Sequence, residues 1–474
     1  MSSYSLSSAT ALFILIIFSI VWIGFGIYLG KKNKTLSDTM VAGRNVGFAL
    51  AVATAMATWV TSNTTMTAPQ LTFQLGVWGM LGYSLGAIGL ILFAPLSGRI
   101  KTLLPNAFTS GDFIRLRFGN FAWRIFLLIS FSYAFGWLIS LGMAGGILVN
   151  ALSGLPYELG MSVILATCVT YTLFGGLRAV IATDFFQTII IVIGVSVIAI
   201  LVINSVGIEP IYSSVKEEHP MLLNLLFPAA IMFLFNNLFF GVGEIFHSNV
   251  WWSRAFAFSE TVASKAYLIA GLFWIPVPIV AGFIALSVPA LDLIIPSADM
   301  VGPIVVSNVL GQVGSIIFFI VVFSALASSL DSLLAATSDL ITQDIYRGHI
   351  NKEANDDRCY KINRYIIIML GLLTWLLCLP RLTTLASLLY FTGAFVASTI
   401  WPIVFGLYFR WVSGKAAAIA MIAGTTTGLI AYFQIGFYVA ALVSAAVSLF
   451  VVLLFGKIAP SNFSFSEFSE RKTI

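Results

Sequence analysis

Thirteen apolar stretches, most of them near 20 residues long and separated by short polar connections, run the length of this chain and leave it one environment in which to fold. As a helix, about 20 apolar residues span a hydrocarbon core about 30 Å thick. The stretches cover approximately Leu12–Gly30, Val46–Ala68, Gly76–Leu96, Phe121–Val149, Leu159–Phe174, Thr183–Val206, Leu222–Phe246, Tyr267–Val288, Pro303–Leu334, Arg364–Leu379, Leu385–Phe409, Ala416–Phe433 and Ile435–Phe455. Hydrophobic residues make up 59% of the 474 and charged residues only 9%, which excludes a soluble domain. The expected fold class is all-α, a polytopic membrane protein of about 13 transmembrane helices.

Basic residues orient the bundle, because Lys and Arg concentrate on the cytoplasmic side. With the N-terminus outside and the C-terminus cytoplasmic, 22 of the 24 basic residues fall in inner connections, from Lys31, Lys32 and Lys34 through Arg254 to Arg471 and Lys472. Only Lys216 and Arg381 fall outside. A missed or invented span would scramble this split, so it supports the count as well as the direction. The net charge of +5 then reflects topology, and no nucleic-acid partner is expected. Met1–Thr10 carries no basic side chain, so the first stretch reads as a retained helix and not a cleaved signal. The expected location is the plasma (inner) membrane.

Three cysteines, Cys168, Cys359 and Cys378, offer no extracellular pair for a disulfide framework. The longest soluble segments, Gln343–Asn363 and Lys457–Ile474, are too short for a catalytic or signalling domain. No metal-ligand cluster and no nucleophile-base spacing argues for an enzyme.

The run Ser324-Ala325-Leu326-Ala327-Ser328-Ser329-Leu330-Asp331-Ser332 inside the ninth stretch carries the most chemistry. At about 100° per residue, Ala325, Ser328, Ser329 and Ser332 share one helix face, with Asp331 on its flank. Hydroxyls beside a helix-end carbonyl suit a hard cation such as sodium, which takes oxygen ligands. Small residues also let membrane helices approach closely, with hydroxyls bonding back to i−4 carbonyls. The acid favours the ion reading, since a mid-span carboxylate costs about 2.5–3.5 kcal/mol on insertion scales and is rarely idle.

Two stretches lying five apart carry polar interruptions. The second has Thr58-Trp59-Val60-Thr61-Ser62-Asn63-Thr64-Thr65, and the seventh has Asn236-Asn237 followed by Gly241-Val242-Gly243-Glu244. Discontinuous helices at matching positions of two halves point to an inverted-repeat transporter with a midplane site. The division is 1–45 (accessory helix and inner loop), 46–207 and 222–410 (five-helix repeats joined by outer loop 208–221), and 411–474 (two further helices and a tail). Glu244 and His247 lie one turn apart beside the second interruption and can face one cavity. Asp184 opens the sixth stretch near the inner face, and Asp339 and Asp344 near the end of the ninth read as solvated or ion-paired acids.

At this point the residues resemble a family. The segment Gly175-Gly176-Leu177-Arg178-Ala179-Val180-Ile181-Ala182-Thr183-Asp184-Phe185-Phe186-Gln187 is similar to the signature of the sodium/solute symporter family. So are Ala325–Ser332 leading to Asp344-Ile345-Tyr346, and Gly43-Arg44-Asn45. Pro105-Asn106-Ala107-Phe108-Thr109, Arg115-Leu116-Arg117-Phe118-Gly119 and Trp251-Trp252-Ser253-Arg254-Ala255 look most like its urea and polyamine branch.

The resemblance implies a leucine-transporter-like 5+5 inverted-repeat core and sodium as the coupling ion. By motif, the main sodium site falls on the Ala57 and Val60 carbonyls with Ala325, Ser328 and Ser329. Members with a second ion imply a further cation site at Asp184, Ser328 and Ser332. Asp331 occupies a position where several members have Ser or Ala, and it completes that second site, carries a coupled proton, or offsets a basic residue. Substrate contacts are implied at Trp59, Asn63, Thr64, Glu244, Ser248 and Asn249, with His247 beside them. Glu244 sits where sugar-transporting members place a gating aromatic, which argues against a sugar. An anionic Glu244 favours urea-like or amine solutes first, amino acids second and monocarboxylates last; neutralised by His247 or Arg254, or protonated, it tolerates a neutral or zwitterionic solute. The expected function is sodium-coupled import of a small polar solute, with the bilayer, the solute and Na+ as partners and no obligate protein partner. The alternatives are a passive channel, a proton-coupled symporter of the same fold, and a membrane-embedded sensor.

Overall fold

The computed structural model of the chain describes residues 4–31, 35–259 and 261–470. Lys32, Lys34, Arg471 and Lys472 of the inner-charge count lie outside the described residues. Among the described residues the secondary structure is helical, with one isolated bridge pairing Val46 with Phe258 and no named strand. Backbone groups buried in lipid must pair within their own segment, and helices do this.

The chain begins with α1 (Ser8–Gly30), followed by α2 (Phe48–Trp59) and α3 (Ala68–Leu75), which are two halves of one broken crossing. Then come α4 (Val77–Leu103), α5 (Ser110–Ser153) and α6 (Tyr157–Val206). A second broken crossing is α7 (Pro228–His247) with α8 (Asn249–Ala257). The remaining helices are α9 (Ala263–Ser287), α10 (Val301–Leu340), α11 (Asp356–Cys378), α12 (Leu385–Tyr408), α13 (Gly414–Gln434) and α14 (Ala440–Ile458).

Among the described residues, eleven helical segments are long and apolar enough to cross a membrane. The broken α2/α3 pair adds a crossing. So does α6, whose 50 residues would reach about 75 Å, more than twice the core thickness. Gly176, at φ 57° and ψ −177°, divides it inside the Gly175-Gly176 motif, a conformation that a side chain would strain. The expected thirteen crossings are thus accounted for.

The centre of the bundle is α10, packed most extensively on α6 and also against α5 and α2. The motif before α5 caps it: the Thr109 hydroxyl accepts from the Asp112 N–H at 3.3 Å, and Asp112 accepts back from the Thr109 N–H at 3.4 Å. Arg117 of the same segment donates to the carbonyls of Gly406 at 3.1 Å and Phe409 at 2.9 Å, tying α5 to the end of α12.

Three expectations are corrected. The seventh crossing does not break at Asn236–Glu244: α7 is continuous there, and the break falls at Ser248 (φ −69°, ψ 130°). The asparagines bond laterally, Asn237 to the Gly82 and Tyr83 carbonyls, and Gly241 permits contact so close that a Cβ would lie 2.6 Å from the Gly86 Cα. Second, Arg254 is not an inner-loop charge, since its side chain is fully buried in the bundle. Third, Asp339 and Asp344 are buried and hydrogen-bonded, Asp339 by Asn363 at 2.9 Å and Asp344 by Thr109 at 2.7 Å and Trp123 at 2.8 Å. Cys168, Cys359 and Cys378 are buried free thiols.

Candidate functional site

The break after α2 follows from its residues. Val, Thr, Ser and Asn are weak helix formers, and their hydroxyls and amides compete for backbone partners. Val60 leaves the helix at φ −85°, ψ 81°, and a short π-helical turn, Asn63–Thr67, leads into α3. A helix end leaves four carbonyls without intrahelical partners, and each of these is accounted for. The Met56 oxygen takes the Val60 N–H at 2.9 Å and the Trp59 oxygen takes the Thr64 hydroxyl at 3.2 Å. The other two go to α10: Ser328 donates to Ala57 at 3.0 Å, and Ser329 to Thr58 at 3.2 Å.

Both serine hydroxyls also lie 3.1 Å from the Ala325 carbonyl. Ala57, Ala325, Ser328 and Ser329, four of the five expected sodium residues, therefore meet in one buried oxygen cluster. Val60 lies buried just past the helix end, and the Thr58 carbonyl joins the cluster although the sequence did not single it out. The donor set is oxygen only, the type a hard cation takes. A sodium ion there would be held by carbonyl dipoles and by hydroxyls turned to present lone pairs.

One turn along α10, the residues expected at a second cation site separate. Ser332 faces α2 and Asp184, whereas Asp331 turns to α6, where the Tyr171 hydroxyl donates to it at 2.9 Å. The space beside Asp184 and Ser332 holds the Arg254 guanidinium from α8. Its Nη2 donates to Thr58 Oγ1 at 2.7 Å, Ser332 Oγ at 2.7 Å and Asp184 Oδ2 at 3.2 Å, and its Nε to Thr54 Oγ1 at 3.0 Å. Both members of the Arg254–Asp184 pair are 0% exposed.

Glu244 does not stand free. Tyr133 donates to its Oε1 at 2.5 Å, and the Trp251 indole N–H reaches both oxygens at 3.0 and 2.9 Å. His247 pairs through Nε2 with Ser130 at 3.0 Å, so neither His247 nor Arg254 pairs with Glu244. Ser248 caps α8, with the Val250 N–H 3.4 Å from its hydroxyl. Asn249 accepts from the Ser110 N–H and donates to the Ala336 carbonyl, each at 2.9 Å, which fixes α8 to α5 and α10.

Between the two breaks lies an aromatic chamber. Trp59 meets Trp137 at 5.9 Å, Trp251 at 5.6 Å and Trp274 at 5.7 Å between ring centroids. Trp59, Trp137 and Trp274, with Thr61, Tyr83, Asn237 and others, line a narrow cavity with room for about one water. Three of its indole N–H groups, those of Trp59, Trp137 and Trp274, are buried with no hydrogen-bond partner. A second cavity, sharing Trp137, is lined by Thr58, Glu244, Trp251 and Ser329, and a third, sharing Leu333 with it, by His247, Ser248 and Asn249.

Of the expected substrate residues, only Trp59 lines the first cavity. Asn63 accepts from Ser140 at 3.1 Å and leaves its Nδ2 buried without a partner, while Thr64 repairs the broken backbone. Tyr83, Tyr133, Trp137, Tyr171 and Trp274 went unnoticed, and Asn237 was singled out only as part of a helix interruption. Their one sequence signal is polar or indole groups in apolar stretches, which membrane interfaces and packing also produce.

The family profile described as "Sodium:solute symporter family" matches residues 40–424. Over about 85% of this chain, the urea active transporter of Saccharomyces cerevisiae is 25% identical and the urea-proton symporter DUR3 of Oryza sativa subsp. japonica 26% identical. This chain spans 59% and 60% of those two relatives' lengths. The osmoregulated proline transporter OpuE of Bacillus subtilis is 26% identical over 87% of each chain. Among solved structures, a substrate-bound, outward-open Na+-coupled sialic acid symporter superposes with a TM-score of 0.80 at 16% identity, covering 96% of this chain and 99% of its own. Mhp1, a nucleobase-cation-symport-1 family transporter in a closed conformation, gives 0.58 at 16% identity, covering 92% of this chain and 99% of its own.

Proposed function

Because the chain belongs to the sodium:solute symporter family, we propose that it is a secondary active symporter coupling inward sodium movement to import of a small polar solute by alternating access. The observation that carries this reading is the oxygen cluster of Ala57, Thr58, Ala325, Ser328 and Ser329, which joins the broken α2 to α10. Sodium held there links the helix that lines the solute chamber to a helix of the surrounding scaffold. Binding of either ligand then favours the conformation that completes the site of the other, and the coupling is reciprocal. The repeats 46–207 and 222–410 contribute one broken crossing each, and rocking of these against the remaining helices opens the chamber to alternate sides. In this reading the protein sits in the plasma (inner) membrane, N-terminus outside and C-terminus cytoplasmic.

The chamber also selects the solute. Three unpaired indole donors favour a compact molecule rich in acceptors, because each buried N–H left unpaired costs about 1–3 kcal/mol. A urea- or amide-like carbonyl compound meets that need. An ammonium offers only donors, and among the described residues no cationic side chain lines the cavity to compensate a carboxylate. Urea-like and amide solutes therefore rank ahead of amines, a revision of the order drawn from Glu244. A counterflow panel of urea, acetamide, amines, amino acids and monocarboxylates in proteoliposomes tests this. Urea or an amide exchanges fastest under this reading, and an amine or monocarboxylate as the best substrate contradicts it.

A further inference from the structure

A buried guanidinium among membrane helices is costly unless oxygens surround it. Arg254 is so surrounded: Asp184 Oδ2, Thr54 Oγ1, Thr58 Oγ1, Ser332 Oγ and the Val250 carbonyl all lie within 3.2 Å of its nitrogens. These oxygens come from α2, α6, α8 and α10. Without the arginine, one carboxylate, three hydroxyls and a carbonyl would form a cage of the kind that takes a hard cation. The cage adjoins the sodium cluster, since Thr58 lends its carbonyl to one and its hydroxyl to the other, and Ser332 donates to the Ser328 carbonyl at 2.6 Å.

We propose that Arg254 is a tethered cation that fills this second position, so that a single sodium ion accompanies each solute. The inference rests on the symporter reading above. Arg254 lies on α8, immediately beyond the break at Ser248, so its charge is carried by the same segment that borders the solute chamber. When α8 shifts, the guanidinium moves against Asp184 and Ser332 on the scaffold. The chain thereby supplies from within a charge that would otherwise come from solution. Asp184 is compensated by this pairing, while the neighbouring Asp331 takes its hydrogen bond from Tyr171.

The test is radiolabelled sodium binding to purified protein, with sodium-to-solute stoichiometry from reversal potentials in proteoliposomes. The wild type binds one sodium ion and transports one per solute. Arg254→Gln vacates the cage for a second ion, so the Hill coefficient rises from about 1 towards about 2, the number of sites then available. Should that variant misfold, Arg254→Gln combined with Asp331→Asn removes one base and one acid together, leaves the summed charge unchanged, and keeps the Asp184 cage. Two sodium ions in the wild type overturn the proposal, as does a single ion in the wild type and in whichever variant folds. A wild type that binds no sodium, with uptake indifferent to it, overturns both this proposal and the symporter reading.

Discussion

The Ser328 hydroxyl on α10 lies 3.0 Å from the Ala57 carbonyl on α2, and this contact joins α10 to the helix whose broken end borders the aromatic chamber. Ser328→Ala, or Ser329→Ala, removes one oxygen from the proposed sodium cluster. Losing a ligand of this kind costs on the order of 1–3 kcal/mol, so apparent sodium affinity falls about tenfold or more. Sodium titration of uptake at saturating solute checks it; an unchanged half-saturation for both variants removes these serines from the site.

On the proposed reading, the indole donors in the chamber act on the solute and not on the ion. Trp137→Phe and Trp274→Phe keep an aromatic ring while deleting an N–H that has no protein partner. Each raises the solute KM by roughly 5- to 150-fold, the equivalent of about 1–3 kcal/mol, with sodium affinity at fixed solute occupancy little changed. Kinetics that shift sodium affinity and leave KM untouched place the solute elsewhere.

Glu244 is engaged by Tyr133 and by both approaches of the Trp251 indole. Glu244→Gln therefore lowers transport rate and thermal stability, by loosening the contact between α5 and α7, while the order of competing solutes stays the same. A competition series on wild type and variant decides this. Reordering of the solutes by charge restores the direct contact expected from the sequence.

On the proposed reading, Asn249 acts by positioning α8 and not by contacting the solute. Asn249→Ala leaves the Ser110 N–H unpaired in a buried setting, a loss of about 1–3 kcal/mol, and removes the added bond to the Ala336 carbonyl. Thermal unfolding in detergent shows the loss with or without solute present. A variant of wild-type stability with a raised KM identifies Asn249 as a solute contact.

How much of this was legible in the sequence depended on whether a feature is local. The crossings were, because a 20-residue apolar run reports its own environment, and so was the serine face, because 3.6-residue periodicity fixes which hydroxyls share a side. Arg254 was not. It follows a helix break near a membrane face, where a basic residue is normally solvated, and only the approach of Asp184 from a helix 70 residues away makes it a buried partner. The position of the second break misled for a related reason: Asn236, Asn237 and Gly241 are helix-weakening residues whose partners lie on other helices, and those contacts keep α7 intact. Glu244 read as a free charge because neither Tyr133 nor its hydroxyl direction is visible from the motif.

The most direct measurement of the central claim is solute uptake into proteoliposomes under an imposed inward sodium gradient, with the membrane potential and the proton gradient clamped at zero. Accumulation above the external concentration, lost when choline replaces sodium, is the predicted result. Uptake of equal rate and extent in choline, reaching only the external concentration, contradicts sodium coupling and leaves a passive pathway in its place.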